Sequence, residues 1–359
     1  MKRLGDFEKR YGDFYTPRFR IQVGESRFAE ADGVVSDVSV ESTLDGADSF
    51  SFTLHYPFEH EASRFRGLSW EAFAPRTPVT IWLGYGNLLG PDPQAKPEVD
   101  PLLTGRIASV KPEFPADGAP AITVSGFDLL HDMTRGTDSD SWNDKTDSDV
   151  VSILTSKYES NFPTREVTAT GVPREKIIQD KESDYAVVKR LADTNRFELF
   201  ARLDTLYFRS PPRKPDPNLT LTYGDSLRSF SPERNDAEQV GEVEIRHWDP
   251  RAKKEIVGKA TRPDRKGKTV LRRAVDSKAQ ADILAEAALA DLTEGEVTGS
   301  GETVGLPDLR VGEWVTLEIG GFDETGKALF DGDYYVQQVS HRLGGSGYAT
   351  SFSVTGTVI

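Results

Sequence analysis

The sequence predicts a β-rich α+β protein: two related small antiparallel β-barrels with an α/β segment between them. Three observations predict this. Runs with an apolar residue at every second position fill both ends of the chain, which is the mark of half-buried strands. The interior switches instead to helical spacing at residues 147–158 and 183–195. The two strand-rich ends also share patterns in the same order.

Residues 1–135 form the first barrel in this reading. Phe19, Ile21 and Val23 alternate with Arg18, Arg20 and Gln22. Val38 and Val40 follow, then Phe50, Phe52, Leu54 and Tyr56, then Val79, Ile81 and Leu83, and finally Ile107, Ile122 and Val124. Gly, Pro and Asp clusters separate the runs, as turns do. Asn87 to Pro101 is rich in those residues and reads as an exposed loop.

Residues 136–235 form the middle segment. Gly136 to Asp147 is polar and reads as an exposed turn that leads into a helix. Thr146 or Asp147 caps that helix, and Val150, Ile153, Leu154 and Tyr158 share one face. A second helix starts at Ser183, a good N-cap, with Asp184 at the positive end of its dipole. Tyr185, Val188, Leu191 and Ala192 make its apolar stripe, and Asn195 ends it in the left-handed conformation. The period then becomes 2. Phe197, Leu199 and Ala201 alternate with Glu198, Phe200 and Arg202, and a turn at Leu203-Asp204-Thr205 returns the chain through Leu206, Tyr207, Phe208 and Arg209. Four prolines in Ser210 to Pro217 make a stiff connector.

Residues 236–359 form the second barrel with an inserted helix. Val243 and Ile245 lead into His247-Trp248-Asp249-Pro250. The helix runs from Ser277 to Leu292. Ser277 and Gln280 have capping-box spacing, and Ile283, Leu284, Ala287, Ala288 and Leu292 form the face expected to be buried. Trp248 and this helix read as packing elements. Val315 to Ile319, Tyr334 to Val339 and Phe352 to Val354 complete the strands.

The duplication rests on three matches in one order. Val79-Thr-Ile-Trp-Leu-Gly84 parallels Val315-Thr-Leu-Glu-Ile-Gly320. Gly105 to Val110 parallels Gly332 to Val339 more loosely, and Ile122 to Gly126 parallels Phe352 to Gly356. Alternating Val and Thr is generic strand chemistry, so the order matters more than any one match. The expectation is that Val79 superposes on Val315 and Val124 on Val354.

The segment S-D-Y-x-x-(apolar)-x-R-L-A at Ser183 to Ala192, with Thr205-Leu-Tyr-Phe-Arg209 after it, resembles the late control protein D family. That family supplies the central hub of contractile phage tails and injection machines, and is similar to the hub part of type VI spike proteins. Further residues carry the resemblance along nearly the whole chain. They are Thr104-Gly-Arg-Ile107, Phe114 to Gly118, Trp248-Asp249-Pro250, Gly301 to Pro307 with Gly305, Tyr334-Tyr335-Val336, and His341-Arg342. The resemblance implies a hub-type fold in which three chains place six barrels in a ring, joining a six-fold inner tube to a three-fold spike. It implies a homotrimer whose partners are the spike, the inner tube protein, and baseplate wedge and tape-measure proteins. The sequence ends at Ile359 with no needle-like repeat, so a separate spike chain is expected.

Composition narrows the alternatives. The chain has 359 residues, 37% hydrophobic and 28% charged, which suits a globular protein of two or three domains. With no cysteine it has no disulfide, thiolate metal site or cysteine nucleophile. Its N-terminus has no apolar run resembling a signal, and no stretch reaches the roughly 20 apolar residues of a membrane helix. Cytoplasmic synthesis, followed by incorporation into a tail or injection particle, is the expectation. The net charge of −14 disfavours nucleic acid as a partner. The basic stretches Arg251 to Lys254 and Arg262 to Lys268 read as solvated loops.

No chemistry-bearing motif stands out. His55, His60, His131, His247 and His341 have no metal-site spacing. Asp138, Asp140, Asp144, Asp147 and Asp149 lack the Gly and Glu of a calcium loop. Gly84-Tyr-Gly86 and Gly320-Gly321 open no helix, as a phosphate loop would. The expectation is therefore a structural protein without catalytic residue, metal or cofactor. The alternatives are a cell-wall hydrolase acting during envelope penetration and a carbohydrate-binding β protein.

Overall fold

The structure, a computed structural model, describes residues 2–11, 14–29, 32–86, 98–212, 215–234, 240–250, 252–263, 266–291, 297–321 and 328–356. Helix α1 (Leu4–Tyr11) precedes strands β1 (Pro17–Val23), β2 (Ser26–Ala29), β3 (Val35–Thr43), β4 (Ser49–Leu54), β5 (Phe58–Glu59), β6 (Arg64–Phe65), β7 (Pro78–Tyr85), β8 (Glu98–Glu113) and β9 (Ala121–Asp128). The middle holds β10 (Asp138–Lys145), α2 (Asp147–Ser156), β11 (Thr164–Val167), β12 (Arg174–Glu182), α3 (Asp184–Asn195), β13 (Glu198–Arg202) and β14 (Thr205–Arg209). Then come β15 (Leu219–Thr222), β16 (Leu227–Arg234), β17 (Glu242–Asp249), β18 (Lys254–Thr261), β19 (Lys268–Arg272), α4 (Lys278–Asp291), β20 (Val297–Val304), β21 (Trp314–Glu318), β22 (Gly332–Gly344) and β23 (Gly347–Gly356).

Strand alternation translates directly into burial. Phe50, Phe52 and Leu54 of β4 point inward between polar neighbours, as do Val79, Ile81 and Leu83 of β7. Thirteen such strands join in one sheet around the largest apolar core. Its order runs β7-β8-β9-β4-β3 in one half and β21-β22-β23-β20-β16 in the other, and β3 pairs β22 to join them.

The two halves repeat an irregularity as well as their order. The β8–β9 ladder has a bulge between Ile107 and Ser109, and the β22–β23 ladder has one between Val336 and Gln338. One extra residue also interrupts β3 between Ser36 and Ser39, and β16 between Leu227 and Ser229, but these two lie about one ladder step apart in the repeat, so only the β8–β9 and β22–β23 bulges coincide. Bulges fix register, so they fix equivalence. Ile107 corresponds to Val336 and Val110 to Val339. Gly105, which faces Val79, corresponds to Tyr334, which faces Val315. Val79 and Val315 are therefore equivalent. Val124 is not equivalent to Val354: it faces Val110, and the residue facing Val339 is Phe352. The Val/Thr repeat slipped that alignment by two residues, which keeps the same face of the strand and leaves the pattern blind to the error.

Several other expectations are corrected. Glu98 to Pro101 belong to β8 rather than to a loop, while residues 87–97 lie outside the described residues. Asp138 to Lys145 form a strand against β12 despite their polarity, because neither face packs deeply. β15 and β16 belong to the large sheet rather than to the middle segment. β17 instead joins β18 and β19 in a separate three-stranded sheet, with its own core of Val243, Ile245, Ala281 and Ala285 beneath α4.

Helix ends follow local chemistry. Thr146 caps α2 in a capping box with Asp149. Ser183 caps α3 by accepting from the Ala186 N–H. The left-handed residue after α3 is Arg196, at φ 53°, not Asn195. Asn195 stays helical because its Nδ2 donates to Asp147 Oδ2 at 2.6 Å and to the Leu191 carbonyl at 2.8 Å. At α4, Gln280 N–H donates to Ser277 Oγ, and Gln280 Oε1 accepts from Asp276 N–H, one residue earlier than a strict capping box. The buried face of α4 is Ala281, Ala285 and Leu289, whereas Ile283 is exposed and Leu292 lies outside the described residues. The small residues win because the helix rests directly on a strand: a Cβ on Gly258 of β18 would fall 2.1 Å from the Ala281 carbonyl carbon.

Candidate functional site

The family-pattern residues do not gather in one cleft. They occupy four places, and three of them are joints between parts of the fold.

The first joint lies inside the large sheet, where Gly305, Leu306 and Pro307 connect β20 to β21, all buried. A Cβ on Gly305 would fall 2.2 Å from the Tyr348 ring and 2.6 Å from Tyr85 Oη. Tyr85 donates to the Gly305 carbonyl at 2.9 Å. His341 lies beside them, with Nδ1 3.1 Å from Thr350 Oγ1 and 3.0 Å from Tyr348 Oη. Burial, reinforced by the nearby Arg310 cation, holds the His341 pKa down at about 3, so the ring is neutral. The cavity touching His341, Arg310, Arg202 and Asp48 measures about 20 Å³, room for one water.

The second joint is made by the hairpin of β13 and β14. Glu198 is buried and accepts from Arg209 Nε at 3.0 Å and from Tyr335 Oη at 2.5 Å. Arg209 donates to the Gly312 carbonyl at 2.7 Å and lies over the Phe200 and Tyr207 rings. Burial, then the adjacent Glu198 carboxylate, push the Tyr335 phenol well above its usual range. Phe200 enters the main core, while Leu199, Ala201, Leu206 and Phe208 enter the middle core with Leu191. Tyr185 is half-buried against that second core.

Asp184 forms the third joint, between helices. Its carboxylate accepts from Lys157 Nζ at 3.2 Å, Tyr158 Oη at 3.0 Å and Gln179 Nε2 at 3.0 Å. Trp248, Asp249 and Pro250 stand apart, where the β17–β18 hairpin turns. Trp248 is 60% exposed, which overturns its expected packing role. Its strand belongs to the small sheet, whose core begins at Ile245 and is covered by α4. The ring therefore has no interior to enter.

Two polar clusters escaped the sequence reading. Tyr11 is buried on α1, and its single hydroxyl proton sits between two carboxylates, Asp308 at 2.7 Å and Asp100, with Arg10 2.6 Å from Asp100. Arg3 also pairs Glu318 at 2.5 Å, so α1 straps the two halves together. Asp48 and Asp128 are buried near each other, between β4 and the end of β9. Burial pushes Asp48 up to about 7 even though it accepts from Thr43 N–H. Burial and the Asp48 charge push Asp128 well up also, and its Oδ2 has no hydrogen-bond partner. Spacing along the chain could not have revealed either cluster, since the partners lie about 80 to 300 residues apart.

Among the described residues no group of three or more His, Asp and Glu side chains could hold a metal ion. A second cavity, between the middle segment and α4, is lined by Asp147, Arg174, Asn195 and Gln280 and measures about 160 Å³. Ligand sites typically run to about 300–1,000 Å³. Among the described residues no helix is long and apolar enough to cross a membrane.

The family model of the Alg8 N-terminal domain matches residues 30–279, well over half of the chain. The chain belongs to the Alg8 N-terminal domain family. Its sequence matches no curated protein. This Alg8 N-terminal domain protein is similar in structure to a tail protein of Neisseria meningitidis, with a TM-score of 0.69 at 16% identity over 95% of this chain and 97% of that one. It is similar to the 43 kDa tail protein of prophage MuSo2 from Shewanella oneidensis, with a TM-score of 0.68 at 14% identity over 94% and 98%. An Escherichia coli component of the type VI secretion system, described as structurally similar to bacteriophage T4 tail proteins, gives a TM-score of 0.56 at 14% identity over 89% and 73%. At these identities the likeness is one of fold. The Alg8 N-terminal domain protein has the fold of phage tail and type VI secretion proteins, in agreement with the hub resemblance of its sequence.

Proposed function

We propose that the chain is the structural hub of a contractile tail or injection machine, a trimeric adaptor between a six-fold inner tube and a three-fold spike, as in the late control protein D family. The observation that carries this is the repeat of strand order, pairing register and a bulge within one chain. Two equivalent units per chain give six in a closed trimer, so one ring offers six-fold spacing to a tube and true three-fold symmetry to a spike. Each unit is one small barrel, the first within residues 1–135 and the second built from β15, β16 and β20 to β23. The segment between them and the small sheet with α4 pack alongside. The tail and type VI neighbours, the joints made by the motif residues and the small cavities support a mechanical rather than a catalytic role. The partners in this reading are the spike, the inner tube, and wedge and tape-measure proteins, and the chain ends up in the assembled particle.

Mass photometry of the chain, alone and with its spike, tests the proposal. A trimer is expected, and a monomer or dimer in the presence of the spike overturns it. Zymography on peptidoglycan is expected to show no clearing; clearing would restore the hydrolase reading.

A further inference from the structure

The repeat leaves one joint unmade. Within the chain, β3 pairs β22 with Val40 opposite His341, Glu41 opposite Ser340 and Ser42 opposite Val339. β16 is the counterpart of β3, and β8 is the counterpart of β22. Shared partners set the correspondence. Ser39 and Ser231 face the equivalent Ser51 and Ser300, so Val40 matches Pro232 and Glu41 matches Glu233. The bulges match Ser340 with Lys111, His341 with Pro112 and Arg342 with Glu113. Yet β16 and β8 are not paired with each other. Among the described residues β16 has only β20 as a strand neighbour, and β7 covers the outer edge of β8 only as far as Ile107.

Burial records the difference. Val40, Val339 and His341 are buried in the joint that is made. Their counterparts Pro232 and Val110 are half-buried, while Pro112, Lys111, Glu113 and Glu233 are exposed. Both open edges carry proline where the paired edges carry Val40 and His341. Leu44 N–H donates to the Gln337 carbonyl at 3.2 Å, and counting along the ladder makes Val40–His341 a hydrogen-bonded pair. The Pro112 and Pro232 ring nitrogens accordingly face outward, where each removes a donor from a free edge. Proline is a common guard for such an edge.

We propose that β16 of one chain pairs antiparallel with β8 of a second copy of this chain, in the register that β3 and β22 use within one chain. Lys111 of one copy then faces Glu233 of the other, and Pro112 faces Pro232. The charges are complementary. Among the described residues Lys111 bridges Glu113 alone, on its own strand and 2.6 Å away at an exposed site, so it is available to exchange partners. The proline pair removes two backbone bonds, making this joint weaker than the internal one and discouraging attachment to an unrelated edge. The contact is heterologous, so copies add head to tail until a ring closes. The inference rests on the hub reading and specifies the contact that would build the ring.

Cysteine trapping tests it, because the chain has no cysteine of its own. Lys111 and Glu233 would form a non-hydrogen-bonded pair, with Cα atoms about 4.5 Å apart, within the disulfide range of about 4.4–6.8 Å. The double variant Lys111→Cys with Glu233→Cys, mildly oxidised, is expected to give covalent species up to a closed trimer on non-reducing gels. Lys111→Cys with Ser231→Cys, two residues out of register and about 7–8 Å apart, is expected to give several-fold less. Glu41→Cys with Ser340→Cys, at the joint already made, is expected to close within one chain and shows that oxidation works and the fold survives. If that control closes while the test pair does not link, the proposed joint is wrong. Mass photometry of the same sample then separates the two failures. Trimers without links overturn only the joint, whereas monomers that persist when the spike is added overturn the hub reading as well.

Discussion

Arg76 and Gly312 occupy equivalent points of the two halves and share a backbone angle, φ 73° in both. Arg76 N–H donates to the Ile107 carbonyl at 2.8 Å, and Gly312 N–H donates to the Val336 carbonyl at 2.9 Å. One half meets a left-handed requirement with glycine and the other with arginine. Arg76→Gly should therefore be neutral or stabilising by up to about 1 kcal/mol. The left-handed cost of about 1–2 kcal/mol disappears, and the added freedom of the unfolded chain offsets part of that. Gly312→Ala should destabilise by about 1–3 kcal/mol, because the new Cβ would meet Arg209 at 2.7 Å and the Phe200 ring at 3.3 Å. The denaturant midpoint should fall for Gly312→Ala and should hold or rise for Arg76→Gly.

Asp48 should make stability depend on pH. Its folded pKa of about 7 lies above the unfolded value, so the native state holds the proton more tightly. This contribution is complete below about pH 4 and is lost as pH rises through 7. Asp48→Asn keeps an acceptor for Thr43 N–H and never ionises. It should raise the melting temperature at pH 8, by the equivalent of about 1–3 kcal/mol, and the gain should shrink toward pH 5. His341 has a lowered folded pKa, and its contribution is lost as pH falls toward about 3. Wild type and variant must therefore be compared at each pH. A gain that does not change between pH 5 and 8 would mean that Asp48 is ionised throughout.

Gly258→Ala should loosen α4. The added methyl collides with helix backbone rather than with a flexible side chain, so a loss of about 1–3 kcal/mol is expected. Hydrogen exchange should accelerate in residues 278–291 and leave β4 and β9 protected.

Trp248→Ala should change stability by less than about 0.5 kcal/mol, since the ring stands in solvent. A fall of several degrees in melting temperature would show that the ring packs in solution.

Strands were legible in the sequence because half-buried strands alternate: Phe50, Phe52 and Leu54 are inward as read. What alternation cannot specify is which sheet a strand joins. Val243 and Ile245 look like barrel strands, yet they pack under α4. Trp248 misled because size suggests burial, whereas its place at a hairpin end decides exposure. Ala281 and Ala285 were missed because small residues carry little hydrophobic signal, and their value lies in letting a helix touch Gly258. Tyr335 could not be linked to Glu198 and Arg209 from sequence, since residues more than 120 positions apart meet only after folding, whereas Glu198 and Arg209 face each other across the hairpin that the sequence does show.

The pairing of β3 with β22 joins residues 38–43 to residues 338–343. During synthesis, the edge of β3 leaves the ribosome some 300 residues before its partner exists. At roughly 5–20 residues per second, that edge waits on the order of 15 to 60 seconds. Neither half of the sheet can reach its final state until the last strands emerge. The chain should therefore fold late and slowly, as chains dominated by distant pairings do. It should also be most vulnerable to aggregation while nascent, and the free edge of β3 is the surface a chaperone would need to shield.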